Sequence, residues 1–335
     1  MNITKYEHTL LKTKAFKYLD SKELDVIKGY CNIIIFRKSE LLFKQGKKNS
    51  GMYIILKGSA MVVAKILGKN ILNIATLEEG DFFGQVSLIT KVPCAATVIA
   101  NTEVHCLELT ADYFDTLAIF YPEIRYSITQ AIIENVCESL GSLYKNIIDT
   151  MNRSEMSDKP FPEKIMTTKR NTKSEFVTFE EANLNRTDLA KSTLFKSYTE
   201  EELDLLITNS ELIKVSKDYT LITTGEEQSA YYFIIRGAIQ LSIIHQKKKA
   251  KLAVLSPISM FCSSSNIIKK TNMIHYIVCE RSIILKIPIN KLKIIEHSNK
   301  SLWHKLSNSI CESFVTLELA ANKLIIRLNS ELYNR

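Results

Sequence analysis

The sequence predicts an α+β chain: two β-roll (jelly-roll-like) domains, each flanked by helices, with a long C-terminal helix. Three observations predict it: a repeated segment, many short β-type runs separated by glycine turns, and a helical stripe after each set of strands. The 335 residues, 46% of them apolar and 24% charged, suffice for two soluble domains. We place the domains at 1–150 and 185–335, joined by a flexible linker at 151–184.

The repeat is the main organisational signal in the chain. Residues 10–58 align without a gap with residues 189–237, an offset of 179 (189 − 10), and 15 of the 49 aligned positions are identical. Further along, the offset falls to 178 and aligns Phe83 with Phe261. A repeat of this length indicates a duplicated domain rather than a solenoid unit.

Each copy opens with a short helix, SKELDVIKGY in the first and TEEELDLLITNS in the second. Thr199 stands three residues before Glu202, which is typical of a capping box. Short runs rich in Ile, Val, Tyr and Phe follow, and we expect the glycines between them to supply the positive φ angles that tight turns need. These glycines are Gly46, Gly58, Gly68, Gly225 and Gly237.

Each copy closes with a helical pattern, because apolar residues recur at steps of three and four and so lie on one stripe. The first stripe runs from Ile124 to Leu140 and the second from Leu302 to Leu332. The second stripe either packs on its own roll or forms the seam of a homo-oligomer, and its length predicts that it contributes to self-association. The polar, proline-containing stretch between the copies shows no periodicity and predicts the linker.

Composition and motif spacing argue against several classes of protein. The sequence shows no nucleophile–base pattern, no metal-ligand spacing and no nucleic-acid module, so we expect no enzyme, no metal site and no nucleic-acid partner. The apolar runs are too short to span a bilayer, and the N-terminus lacks the core of a signal peptide. Seven cysteines without a C-x-x-C pair indicate reduced thiols, and together these features predict a cytoplasmic location.

The first copy contains five motifs in order, LLFKQG, YIILKG, GDFFGQVSL, PCAATV and TEVHCLELT. With these motifs the first copy resembles the cyclic nucleotide-binding domain. This is the β-roll of the bacterial catabolite activator protein and of the regulatory subunits of cAMP-dependent protein kinase. The resemblance covers roughly residues 10–150, and the second copy resembles the same family over roughly 185–335, mostly through its alignment with the first. It implies a cyclic nucleotide as the candidate ligand and no other cofactor.

The stretch GDFFGQVSLITKVPCAATV, residues 80–98, corresponds to the ligand-binding cassette of the family. In the family, an F-G-E motif supplies a glutamate that holds the ribose 2′-hydroxyl, and a P-R-A-A or P-R-T-A motif supplies an arginine for the cyclic phosphate. Here Gln85 stands at the glutamate position and Cys94 at the arginine position. A charge-assisted hydrogen bond contributes ~1.5–3 kcal/mol, so losing both weakens binding by about two to four decades.

The first cassette keeps other means of binding a ligand. Backbone N–H groups from Gln85 to Leu88 attract an anion, the Gln85 amide bonds a hydroxyl, and Lys91 offers a point charge. The plainer interpretations are that Gln85 caps the turn and that Cys94 is a small buried apolar residue. The candidate ligand-binding residues are Phe83, Gly84, Gln85, Val86, Ser87, Lys91, Pro93, Cys94, Ala95, Ala96 and Thr97.

The second cassette departs further from the family pattern. Cys262 replaces the glycine, Ser263 replaces the glutamate, and Met273 falls about where the arginine belongs. Cys262, Ser263 and Ser264 are secondary candidates for a ligand site, and a polar loop is the simpler interpretation of the serines. We expect this copy to bind nothing through its cassette.

Two hypotheses for the function remain open. The first is a non-enzymatic regulatory or sensor protein with tandem cyclic nucleotide-binding-like domains, in which a protein partner of unknown identity reads the packing of the long helices. The second is a scaffold whose rolls serve as interaction modules without a ligand. A transcription factor of the catabolite-activator type would need a helix-turn-helix after the roll, whereas the first copy is followed by a linker and another roll.

Overall fold

A computed structural model describes residues 3–49, 51–66, 71–153, 173–226, 230–246, 248–268 and 271–333. The chain divides into two units, the first made of Met1–Leu143 with Phe314–Arg335 and the second of Tyr144–Ser313. Each unit contains one roll built from antiparallel sheets, with helices around it, which confirms the predicted α+β class.

The first unit begins with short helices and continues into the first roll. Its elements are α1 (Glu7–Leu10), α2 (Ser21–Tyr30), β1 (Asn32–Phe36), β2 (Leu41–Phe43), β3 (Gly51–Lys57), β4 (Ala60–Lys65), β5 (Ile71–Leu77), β6 (Phe82–Phe83), α3 (Gln85–Thr90), β7 (Thr97–Ala100), β8 (Val104–Thr110), α4 (Ala111–Phe120) and α5 (Pro122–Arg153). The strands form two four-stranded sheets, in the orders β1-β8-β3-β6 and β2-β7-β4-β5.

The second roll repeats this plan with one added strand. Its elements are β9 (Ser174–Phe176), α6 (Arg186–Lys191), α7 (Glu200–Thr208), β10 (Glu211–Val215), β11 (Thr220–Ile222), β12 (Ala230–Arg236), β13 (Ile239–His245), β14 (Lys248–Leu255), β15 (Met260–Phe261), α8 (Ser265–Ile268), β16 (His275–Val278), β17 (Ser282–Pro288), α9 (Ile289–Ser298) and α10 (Lys300–Tyr333). The sheet orders are β15-β12-β17-β10-β9 and β11-β16-β13-β14, so β10 to β17 correspond one by one to β1 to β8.

Backbone hydrogen bonds confirm the alignment of the two copies. The Gly80 N–H donates to the Ile55 carbonyl at 2.8 Å in the first roll, and the Ile258 N–H donates to the Ile234 carbonyl at 2.7 Å in the second. These pairs match at the offsets of 179 and 178 that the sequence shows. The predicted capping box at Thr199 is present, with both reciprocal bonds.

The turn glycines adopt the conformation that the sequence predicts. Gly46, Gly58, Gly225 and Gly237 have φ angles of 79°, 90°, 87° and 95°, in the region that side chains disfavour. Gly68 lies outside the described residues.

The predicted linker is shorter than expected at both described ends. Helix α5 continues to Arg153, and Ser174–Phe176 forms β9, which pairs with β10. Residues 154–172 lie outside the described part of the chain, so a linker there stays a prediction. The predicted domain limits also differ from the limits of the two units, because residues 314–335 belong with the first unit.

The stripe of the last helix is covered within a single chain. From Leu302 to Leu328 its apolar positions are at most 8% exposed. The residues from Phe314 onward belong to the first unit, so this part of the stripe does not serve only as cover for its own roll. Self-association through this helix stays a prediction. No helix in the described part of the chain is long and apolar enough to cross a membrane.

Candidate functional site

The first cassette begins where β6 turns into α3. Phe83 pairs with Tyr53 of β3, and its ring stacks on that tyrosine with 5.7 Å between centroids. Gly84 follows with a φ of 93°, and an added Cβ would lie 2.7 Å from the Gly51 carbonyl oxygen and 2.8 Å from the Phe43 ring. The structure thus requires glycine here for packing and backbone conformation, whether or not a ligand binds.

Gln85, at the position of the ribose-binding glutamate, is bonded to the last helix of the chain. Its side chain is buried, and Nε2 donates to Glu318 Oε2 of α10 at 3.2 Å. Ser139 Oγ of α5 donates to the other oxygen of the same carboxylate at 2.8 Å. The interpretation that Gln85 merely caps a turn is wrong, because its amide contacts a residue 233 positions away.

The Gln85–Glu318–Ser139 cluster places a carboxyl group in an apolar environment. Burial raises the pKa of Glu318, and the bonds from Ser139 and Gln85 only partly offset this effect. Gln85 Oε1 is also buried and has no hydrogen-bond partner among the described residues. The cluster is therefore rich in acceptor atoms, and it contains no positive charge that would favour an anion.

Cys94, at the position of the phosphate-binding arginine, belongs to the core of the roll. It is 9% exposed and packs in a cluster with Phe43, Tyr53 and Phe83. Its carbonyl accepts from the Gly46 N–H at 2.8 Å, so the turn at the end of β2 holds this part of the cassette. The structure supports the interpretation of Cys94 as a small buried apolar residue.

The remaining candidate residues of the first cassette differ in their partners and in their exposure. Ser87 is buried, and its Oγ lies 3.5 Å from Cys94 Sγ. Thr97 Oγ1 accepts from the Gln45 N–H at 3.0 Å, within the roll. Lys91 ends α3 on the solvent side and pairs with Asp115 of α4 at 3.4 Å. Val86, Ala95 and Ala96 are half-buried, and Pro93 is exposed.

Lys91 is a poor substitute for the missing arginine on geometric grounds. Six residue steps along a helix separate it from Gln85, which is about 9 Å at ~1.5 Å per residue. An anion held by the first N–H groups of α3 would therefore lie at the opposite end of this short helix. The role of Lys91 in ligand binding stays a prediction.

The second cassette uses its polar groups internally. Phe261 stacks between Tyr232 and Tyr276, and Tyr276 donates its hydroxyl to the Cys262 carbonyl at 3.1 Å. Ser263 is fully buried, and its Oγ accepts from the Ser265 N–H at 3.2 Å.

The other second-cassette candidates offer no more to a ligand. Ser264 is half-buried. Burial strongly raises the pKa of the Cys262 thiol, which keeps it neutral.

The residue at the arginine position of the second roll is Asn272, not Met273. The Gly225 N–H donates to the Asn272 carbonyl at 3.0 Å, as the Gly46 N–H donates to Cys94 in the first roll. The Asn272 side chain is 1% exposed and donates to the Thr223 and Ile274 carbonyls at 3.0 and 2.7 Å. Counting with the offset of 178 from Cys94 would have found this residue.

Glu318 and Ser139 are the site residues that sequence reasoning missed. A weak signal for Glu318 exists, because it lies four residues after Phe314 and three before Ala321, which places a carboxylate on the apolar stripe. Ser139 carries no signal of its own. In the part of the chain that the structure describes, no group of three His, Cys, Asp or Glu side chains could hold a metal ion.

Residues 33–119 match the family model described as cyclic nucleotide-binding domain. This match lies in the first copy and confirms the resemblance drawn from its sequence motifs.

Curated relatives match over about a third of the chain. The cAMP-dependent protein kinase regulatory subunit of Mucor circinelloides f. lusitanicus is 31% identical over 112 residues, which are 33% of this chain and 26% of that protein. Rap guanine nucleotide exchange factor 3 of Homo sapiens is 37% identical over 110 residues, which are 32% of this chain and 11% of that protein. The chain thus aligns with a minor part of each of these relatives.

Solved structures with a similar fold cover more of the chain at lower identity. The regulatory domain of Toxoplasma gondii PKA with cAMP is 14% identical with a TM-score of 0.34, covering 91% of this chain and 97% of that one. A cyclic nucleotide-binding domain from Methylobacillus flagellatus is 19% identical with a TM-score of 0.40, covering 46% of this chain and 87% of that one. Nothing about a ligand of this chain follows from a likeness of this degree.

Proposed function

We propose that this chain is a non-enzymatic regulatory protein in which the first roll is the sensor module and the long helices carry its state to a protein partner. The observation that carries the proposal is the Gln85–Glu318–Ser139 cluster. Through it, the first residue of the cassette helix is hydrogen-bonded to Glu318 of α10, and the same carboxylate accepts a bond from Ser139 of α5. A ligand that moves Gln85 must break or rearrange these bonds, so the cassette and the two helices are mechanically coupled.

Cyclic nucleotides are weak ligands under this proposal. Residues 80–98 contain no arginine, and a buried carboxyl group lies beside the residue that would meet the ribose. An anionic phosphate gains no charge-assisted bond, and an ionised Glu318 repels it. The second roll has a structural role in this proposal, because the hydroxyl and amide groups of its cassette are hydrogen-bonded within the roll.

A scaffold without a ligand is the second candidate function. It is favoured by the burial of Gln85, Ser87 and Cys94, which leaves these groups facing protein. In that case the cluster locks α3 in place instead of transmitting a change. A cytoplasmic location and self-association of the chain are further predictions, which rest on the sequence alone.

Calorimetry and hydrogen exchange on the full chain separate the two functions. Wild-type protein is titrated with cAMP, cGMP and cyclic dinucleotides, and deuterium uptake is followed in α3, in α5 around Ser139 and in α10 around Glu318. A sensor binds one of these ligands and changes the uptake in α5 and α10. Gln85→Leu removes the hydrogen bond to Glu318 and should abolish that change, whereas the cassette variant Ser87→Ala should keep it.

The scaffold predicts no binding to any member of this panel. Binding that leaves the exchange of α5 and α10 unaltered would contradict the coupling and with it the proposed sensor mechanism. Micromolar binding of cAMP by the wild-type chain would contradict the expected weakness of cyclic nucleotides.

A further inference from the structure

The second roll contains a cavity that the proposed function does not use. Its volume is about 180 Å³, and it lies between α6, the segment that follows α6, and the end of β12. Asn185 and Arg236 are exposed members of its lining, so the cavity reaches the surface. Its apolar lining residues are Leu184, Leu189, Leu194, Phe195, Ile234, Ile235 and Ile258, and its polar lining residues are Asn185, Asp188, Ser192 and Arg236.

The first roll shows what fits at the equivalent place. Asn185 is the N-cap residue of α6, and Tyr6 is the N-cap residue of α1 at the repeat offset of 179 (185 − 6). Tyr6 is 5% exposed, and its hydroxyl is hydrogen-bonded to His105 Nδ1. The first roll therefore buries an aromatic ring where the second roll has the small Asn185 and a cavity.

The size of the cavity matches one ring. A cavity of about 150 Å³ lined by Leu, Ile and Phe is known to stay dry and to bind benzene. The volume of about 180 Å³ is similar, although four of the eleven lining residues here are polar. On size, a single six-membered aromatic ring is the expected occupant.

One wall residue is held in an unfavourable backbone conformation. Ile258 has a φ of 70°, and the residue at the corresponding position of the first roll is Gly80 with a φ of 90°. A β-branched residue rarely adopts this conformation, and such strain tends to accompany binding sites. The second roll thus places an apolar side chain on the cavity wall at a position where the first roll has glycine.

The partner of the Tyr6 hydroxyl is not kept in the second roll. In the first roll Lys57 pairs with His105 across β3 and β8, and in the second Arg236 pairs with Ile283 across β12 and β17. His105, which bonds the Tyr6 hydroxyl, is thus replaced by an apolar residue. A phenyl ring without a hydroxyl loses no hydrogen bond through this replacement.

We propose that this cavity is a binding site for a single phenyl ring, supplied by a small aromatic molecule or by a phenylalanine side chain of a partner. Fluorine NMR titration of the full chain tests it with two probes, fluorobenzene and N-acetyl-4-fluorophenylalaninamide. Saturable millimolar binding of fluorobenzene alone indicates a small-molecule source. Binding of both probes indicates a side-chain source, because the second probe carries main-chain amides.

Variants assign the binding to this cavity. Asn185→Phe should fill it as Tyr6 fills the first roll and weaken probe binding at least ten-fold. Thr187→Phe, which adds the same ring at an exposed position of α6, should leave binding unchanged. Tyr6→Asn should open the first roll and add a second binding equivalent.

Two outcomes would overturn the proposal. They are no saturable binding of either probe, and equal binding by wild type and Asn185→Phe. Because the titration of wild-type protein and the Asn185→Phe comparison do not need the Tyr6 variant, a failure of that variant to fold leaves the test intact.

Discussion

The substitution Gln85→Glu tests the cluster between the cassette and the last helix. Gln85 Nε2 lies 3.2 Å from Glu318 Oε2, so the new side chain brings two carboxyl groups to about that separation. If both were ionised, their repulsion would be about 5 kcal/mol at an effective dielectric constant of ~20. The pair avoids this cost by retaining a proton, which raises the pKa of one carboxyl group further.

The cost therefore depends on pH, with a definite sign. A carboxyl group whose pKa is raised in the folded state is fully stabilising below its unfolded pKa of about 4.3, and that stability is lost as pH rises towards the folded pKa. The free energy of unfolding should fall by about 1.4 kcal/mol per pH unit in this window, up to about 4 kcal/mol between pH 5 and pH 8. Burial raises the pKa of Glu318 in the wild-type chain as well, so the contribution of Glu318 to wild-type stability also falls as the pH rises. Each variant is therefore compared with wild type at the same pH.

Urea unfolding at pH 5, 6.5 and 8 measures the effect. The proteins are wild type, Gln85→Glu, Glu318→Gln and the double variant, which restores one amide and one carboxyl group in exchanged positions. We expect the deficit of Gln85→Glu to grow with pH and the double variant to remove most of that growth. A deficit that is equal at pH 5 and pH 8, or that Glu318→Gln does not relieve, would refute the contact and the coupling inferred from it.

Three further predictions concern other parts of the chain. Gly84→Ala should destabilise the protein by about 2–4 kcal/mol in urea unfolding, because the φ of Gly84 is 93° and the added Cβ would lie 2.7 Å from a backbone oxygen. An unchanged urea midpoint would contradict the tight packing around Gly84. Lys305→Met should lower the free energy of unfolding by about 3 kcal/mol at pH 7 and by less at pH 4. Burial alone would raise the pKa of Glu202, and the bond from Lys305 at 2.6 Å helps to hold that pKa low. A loss of stability that is the same at both pH values would contradict this. Cys94→Arg should bind cAMP more tightly than wild type in calorimetry, because the guanidinium adds a positive charge for the phosphate. It should also unfold at a lower urea concentration, because the position is 9% exposed and the charge is buried. No gain in binding by a folded variant would show that the cassette is closed.

The sequence by itself determined the two rolls and their local conformations. The repeat, the turn glycines and the capping box at Thr199 each depend on residues that are close together in the chain. Glycine is needed wherever φ is positive, and a Thr–Glu spacing of three suits a helix start, so these features can be recognised without a tertiary structure. The missing glutamate and arginine of the cassette were visible in the same way, as Gln85 and Cys94.

Only the tertiary structure decided which groups surround those residues. Glu318 lies 233 positions from Gln85, and its place on an apolar stripe predicts burial without naming the partner. The cavity beside Ile258 likewise depends on the volume left after several segments have packed, a quantity with no periodic signature in the sequence. Local sterics and hydrogen bonding determine each helix and strand, whereas long-range packing determines which residues surround it. The chemistry of both sites in this protein depends on those surrounding residues.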